Sequence, residues 1–87
     1  MSRILFVGTT TQVVRELRDT GHEVVVVSDD AAAAVAAAAV QEDVDAVVVA
    51  HGGPEQRAAL QAAGADDVPV HALDEGATVD SIVDHLH

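Results

Sequence analysis

VGTTTQVVRELRDTGHEVVVVSDD, residues 7–30, is the stretch whose reading decides the fold. An apolar run ends on Gly8, and a segment follows in which Val13, Val14 and Leu17 share one helical stripe while Gln12, Arg15, Glu16, Arg18 and Asp19 lie outside it. Gly21 offers the left-handed turn that stops a helix. Residues 23–28 form a second run containing four consecutive valines, closed by Asp29 and Asp30. Apolar residues without alternation signal strands covered on both faces, and such strands pair in parallel through helical crossovers. The stretch therefore reads as one β-α-β unit.

Working outward, residues 3–7 (RILFV) and 45–50 (DAVVVA) repeat the strand signal, and 68–73 (VPVHAL) repeats it more weakly, with Pro69 restricting that strand to an edge. Residues 30–42 are nearly all Ala, the strongest helix former, with Ser28, Asp29 or Asp30 available as a cap. Residues 54–63 begin with Pro54 at the first helical position and Glu55 in the first turn, and Gly64 ends them. In residues 79–86, Val79, Ile82, Val83 and Leu86 form an apolar stripe behind a Thr78 cap. The alternation βαβαβαβα predicts an α/β protein: a three-layer αβα sandwich on a four-stranded parallel sheet. Right-handed crossovers and the Pro-bearing edge predict strand order 2-1-3-4, with the first and fourth helices on one face and the second and third on the other. One domain is expected over residues 1–87, without linker or repeat.

The core this pattern supplies is thin. Seventeen residues are Ala and 17 are Val, Phe6 is the one aromatic, and Trp, Tyr and Cys are absent. At roughly 25 cal/mol per Å² of apolar burial, Ala and Val contribute little per position, so support from a second copy or from salt is expected. There is no Lys; four Arg face ten Asp and five Glu, for a net charge of −11. That balance excludes nucleic acid as a partner, because no basic stripe exists to neutralise phosphates. An acidic, lysine-free composition with a core of Ala and Val resembles cytoplasmic proteins of extreme halophiles. Molar salt shortens the screening length to roughly 3 Å and so suppresses self-repulsion. Absence of Cys excludes disulfides and thiolate chemistry. The longest apolar run, residues 31–40, is too short for a bilayer and no secretory leader pattern is present, which predicts a cytoplasmic protein with no membrane partner.

In an open parallel sheet, ligands bind past the carboxyl ends of the strands where the winding reverses, here between the first and third strands. The loops expected to meet there are Gly8-Thr9-Thr10-Thr11 and His51-Gly52-Gly53-Pro54, each opening a helix. Free N–H groups and the positive helix end favour an anion. With Asp29, the residues Gly8, Thr9, Thr10, Thr11, His51, Gly52 and Gly53 form a candidate nucleotide or phosphate site. The same residues also read as a helix cap and tight turns, the reading favoured because neither loop carries a cation.

The pattern G-x(12)-GHEVVVVSDD, from Gly8 through Asp30, resembles the first βαβ unit of Rossmann NAD-binding domains, especially the regulatory domains of potassium transport systems. DVDAVVVAHGG (43–53) is similar to their third strand. The resemblance spans about 50 residues and implies a minimal Rossmann-like or flavodoxin-like fold, with Gly8 as the first glycine of the fingerprint and Asp29 or Asp30 as the ribose-binding acid. Thr10 stands where a glycine admits the pyrophosphate, and no third glycine follows, which implies architecture kept and NAD lost. Response-regulator receiver domains share the topology. Their acidic pair, phosphoacceptor Asp and Lys correspond here to Gly8-Thr9, Ala50-His51 and no Lys, a set that argues against a phosphorylated receiver and leaves a degenerate, interaction-only version open.

His51 at the end of the third strand and His71 in its neighbour invite a metal reading with Asp74, but the spacing matches no metal motif and no metal is assigned. No nucleophile elbow or Walker loop is present. The second strand reads as an edge with no Pro, Lys or internal charge; either two copies pair across it or bury a patch of the Ala-rich second helix, or a loop or helix covers it in the monomer. The expected function is a non-catalytic binding or protein-interaction module without a cofactor, acting as a homodimer or with another protein. The alternative is nucleotide or phosphate-ligand binding, NAD included, at the switch point between the first and third strands.

Overall fold

A computed structural model describes residues 3–8, 11–28 and 31–86. Its elements are β1 (Arg3–Val7), α1 (Thr11–Asp19), β2 (Glu23–Val27), α2 (Ala32–Glu42), β3 (Ala46–Val49), α3 (Gly53–Ala62), β4 (Val70–Ala72), a 3₁₀ turn (Leu73–Glu75) and α4 (Val79–Leu86). All strand pairs are parallel and the sheet order is β2-β1-β3-β4, the doubly wound α/β arrangement of Rossmann-like and flavodoxin-like folds.

Alternation along each strand divides the core in two. Leu5, Val7, Val47 and Val49 face α2 and α3, where Val35, Ala36, Ala39 and Leu60 pack on them. Ile4, Phe6, Val24 and Val48 face α1 and α4 and meet Val14, Leu17 and Ile82. The larger apolar side chains, Phe6 above all, thus serve the face covered by α1 and α4, while small residues let α2 lie close on the other. Among the described residues, no helix is long and apolar enough to cross a membrane.

Three local expectations need correction. The α2 N-cap position is held by Ala31, in extended conformation, and not by Ser28, while Asp29 and Asp30 lie outside the described residues; the strong helix preference of the alanine run and burial of its inner face support the helix from there. Helix α3 begins at Gly53, one residue earlier than its proline suggests, so Pro54 is its second residue behind a left-handed Gly52 (φ 79°). Strand β4 is only three residues long, because Leu73 turns into the 3₁₀ segment instead of continuing it. The α4 start matches its sequence: the Thr78 N–H donates to Ser81 Oγ at 2.8 Å and the Ser81 N–H to Thr78 Oγ1 at 3.1 Å. This is a reciprocal cap in which serine takes the usual place of glutamate.

Candidate functional site

The carboxyl ends of β1 and β3 lie side by side, since Val7 pairs with Val49. A Cβ placed on Gly8 would lie 4.0 Å from the Ala50 Cβ and 3.6 Å from Phe6 Cε1. Gly8 therefore rests on the one aromatic ring and beside the residue that follows β3, the adjacency that the switch-point reading needs. Gly8 has φ 134° and its N–H donates to the Val27 carbonyl at 3.1 Å, so it also links the ends of β1 and β2. Thr11 opens α1. Thr9, Thr10 and Asp29, with Asp30, fall outside the described residues.

His51 is exposed, at the edge of a shallow depression of about 330 Å³ lined by Ala32, Gly52, Glu55 and Gln56. Its lining comes from the starts of α2 and α3, which lie on the sheet face opposite α1. Gly8, in the turn after β1, is not among the residues lining this depression.

The two glycines beside His51 are explained within the chain. Gly52 takes the left-handed conformation that its turn demands. Gly53 is buried, and a Cβ there would come within 3.0 Å of the Ala72 Cβ and 2.9 Å of Glu75 Oε2. Lack of a side chain at Gly53 is what lets α3 approach β4. Gly53→Ala is accordingly expected to cost about 1–2 kcal/mol through overpacking, read as a lower urea midpoint; an unchanged midpoint would mean that β4 yields freely.

Carboxylates already stand at the end of α3 that attracts anions. Glu55 lies in its first turn, with Oε2 3.5 Å from where a Gly52 Cβ would sit, and the Glu75 carboxylate is held near Gly53 by a 3.1 Å ion pair to Arg57. Negative side chains there satisfy the helix dipole and repel an incoming phosphate.

The cations are engaged with the main chain. Arg3 Nη1 donates to the Glu42 carbonyl at 2.7 Å, at the end of α2, and its Nη2 lies 3.4 Å from Glu23. Arg18 Nη2 donates to the Val24 carbonyl at 3.2 Å, and Arg57 Nη2 to the Val70 carbonyl at 3.1 Å. Three of the four arginines of the chain thus satisfy backbone oxygens, and Arg15 is exposed on α1.

Two of these carbonyls belong to the sheet edges. Carbonyls alternate in direction along a strand. Since Val27 accepts from Gly8 and Pro69 from Val47, both inward, the outward carbonyls are those of Val24 and Val26 on β2, and of Val70 and Ala72 on β4. On β4 both are satisfied, Val70 by Arg57 and Ala72 by the Ala77 N–H at 3.3 Å. On β2 Arg18 covers Val24, so this edge is partly guarded although the strand's own residues carry no guard. The guard is supplied by the preceding helix. Among the described residues, Val26 makes no hydrogen bond on its outward side, and its side chain is 46% exposed.

His71 pairs in register with Val48 and therefore points to the α1 and α4 face, whereas His51 lies three residues beyond Val48, roughly 10 Å further along the strand direction. Among the described residues, no three His, Asp or Glu side chains cluster closely enough to hold a metal. Sequence reasoning missed Arg18, Arg57 and Glu75. For Arg18 the available signal was its place in the last turn of α1, just before the Gly21 turn that folds back into β2. No protein-family model matches the chain, and no curated protein sequence matches it.

Proposed function

We propose that this chain is a non-catalytic protein-interaction module of a salt-rich cytoplasm, with the β2 edge as its contact surface and a second copy of the chain as its partner. The observation that carries the reading is Val26, whose side chain is exposed and whose outward N–H and C=O have no hydrogen bond among the described residues. An edge of that kind recruits another strand. Charge placement favours a second copy in antiparallel pairing. Glu23 is the only charged residue of β2, and a two-fold axis through Val25 sets Glu23 of each copy opposite Val27 of the other. The two carboxylates then stand four positions apart, about 13 Å, whereas parallel in-register pairing would bring them face to face. In the antiparallel register Val24 and Val26 exchange N–H···O bonds across the axis.

The test is particle mass by light scattering in molar KCl. Wild type is expected at twice 8.9 kDa. Val26→Lys, which places a charge at the open position, and Val26→Pro, which removes an N–H that β1 does not use, are expected at 8.9 kDa with unchanged far-UV circular dichroism. A wild-type chain monomeric at every concentration sinks the reading.

A second reading, an anionic or nucleotide ligand such as NAD at the switch point, draws on the adjacency of Gly8 and Ala50 beside the Gly52–Gly53 turn. Glu55 and Glu75 oppose it electrostatically. Thermal shift with NAD, ADP and phosphate at high salt tests it, since a ligand that binds the folded state raises the melting point.

A further inference from the structure

We infer that Arg18 acts as a removable guard on the β2 edge, its guanidinium competing with an incoming strand for the Val24 carbonyl. The inference rests on the β2-edge reading above and adds how that edge is regulated. Antiparallel pairing needs the outward carbonyls of both Val24 and Val26, and one of them is already taken by Arg18 Nη2 at 3.2 Å. An edge with its outward carbonyls fully occupied already exists in this molecule, because β4 has Arg57 on Val70 and the Ala77 N–H on Ala72. On β2 the cover is half complete and rests on one exposed side chain. The Arg57 guanidinium is further held by Glu75 at 3.1 Å, whereas the Arg18 contact on β2 is with a neutral carbonyl. Strand addition therefore begins at Val26 and is completed when Arg18 swings off Val24. Each copy gives up one charge-assisted hydrogen bond in exchange for ladder bonds. Self-association is consequently weaker than the valine edge alone would support.

The test compares Arg18→Ala with Arg15→Ala by sedimentation equilibrium in molar KCl, with Val26→Pro as a second background. Both arginines lie exposed on α1 and both substitutions remove one positive charge, and of the two Arg18 is the one that covers an edge carbonyl. Arg18→Ala is expected to tighten dimerisation roughly 10- to 100-fold relative to Arg15→Ala, corresponding to the loss of one or two competing hydrogen bonds. Arg18→Met, which keeps the aliphatic stem, is expected to do the same and separates the guard from packing of that stem. Concentration-dependent protection of the Val26 amide against hydrogen exchange provides a readout in the wild-type chain. Equal effects of Arg18→Ala and Arg15→Ala, in a chain that still dimerises and loses the dimer with Val26→Pro, overturn the guard and leave the edge reading standing. Tightening by Arg18→Ala that persists with Val26→Pro places the contact elsewhere and overturns both.

Discussion

Phe6→Ala is expected to leave the chain largely unfolded. The ring is fully buried on the α1 and α4 face with Ile4, Leu17 and Ile82, and it is the only aromatic residue. Phe6 stands in the central strand, paired with Val26 on one side and Val48 on the other, so no flanking side chain of comparable size can collapse into its place. Truncating such a residue typically costs about 3–5 kcal/mol. A chain of this length has a total stability of roughly 4–13 kcal/mol, and an alanine-valine core belongs at the low end. The turn at Gly8 also loses its floor, since it rests against Phe6 Cε1. Urea titration followed by far-UV circular dichroism in molar KCl measures the effect. Val40→Ala, at a side chain 52% exposed, is the control and is expected to stay within about 0.5 kcal/mol of wild type. Two coincident curves would mean that Ala and Val burial alone holds the sheet.

The second large effect is on salt. Fifteen carboxylates face four arginines. Among the described residues two ion pairs form, Arg3–Glu23 at 3.4 Å and Arg57–Glu75 at 3.1 Å, all four side chains at least 40% exposed. Exposed pairs of this type contribute about 0–1 kcal/mol each and cannot offset the repulsion of the remaining carboxylates. Most of the stabilisation is therefore expected between about 0.1 and about 1 M KCl, where the screening length shrinks from about 10 Å to about 3 Å. The thermal midpoint is expected to rise by about 10 °C over that interval, given that ~1 kcal/mol shifts a domain of this size by roughly 4–8 °C. Calorimetry across a KCl series measures it. A midpoint that stays flat to about 1 M and rises only beyond it would assign the effect to exclusion of salt from the surface.

The elements that could be read directly were those in which burial on both faces overrides alternation. The valine runs at 23–27 and 46–49 and the RILFV strand carry their structure in composition, and the parallel order follows from helices placed between them. Strand β4 was legible only as an edge, because after Ala72 the chain turns through Leu73, a residue of ordinary strand character. The α2 start is less legible, because an unbroken alanine run does not mark its own first residue, and the helix begins at Ala32 behind an alanine in the N-cap position.

The rim was legible by topology and not by chemistry. That Gly8 and Ala50 become neighbours follows from strand order alone. That Gly53 is small for the sake of Ala72, and that Glu75 reaches the start of α3, depends on contacts between segments about 20 residues apart that no local pattern announces. The roles of Arg3, Arg18 and Arg57 are not legible in the sequence because their targets are backbone oxygens, which look the same at every position.

The position of β1 between β2 and β3 also orders events during synthesis. The central strand is synthesised before either of its neighbours, and the second of them ends at Val49, so its apolar residues on both faces wait for more than forty further residues to appear. Every strand contact in the sheet is made across an intervening helix, which places the entropic cost of closing loops ahead of the reward. Nascent chains stalled before Val49 should therefore be the species most in need of chaperone cover.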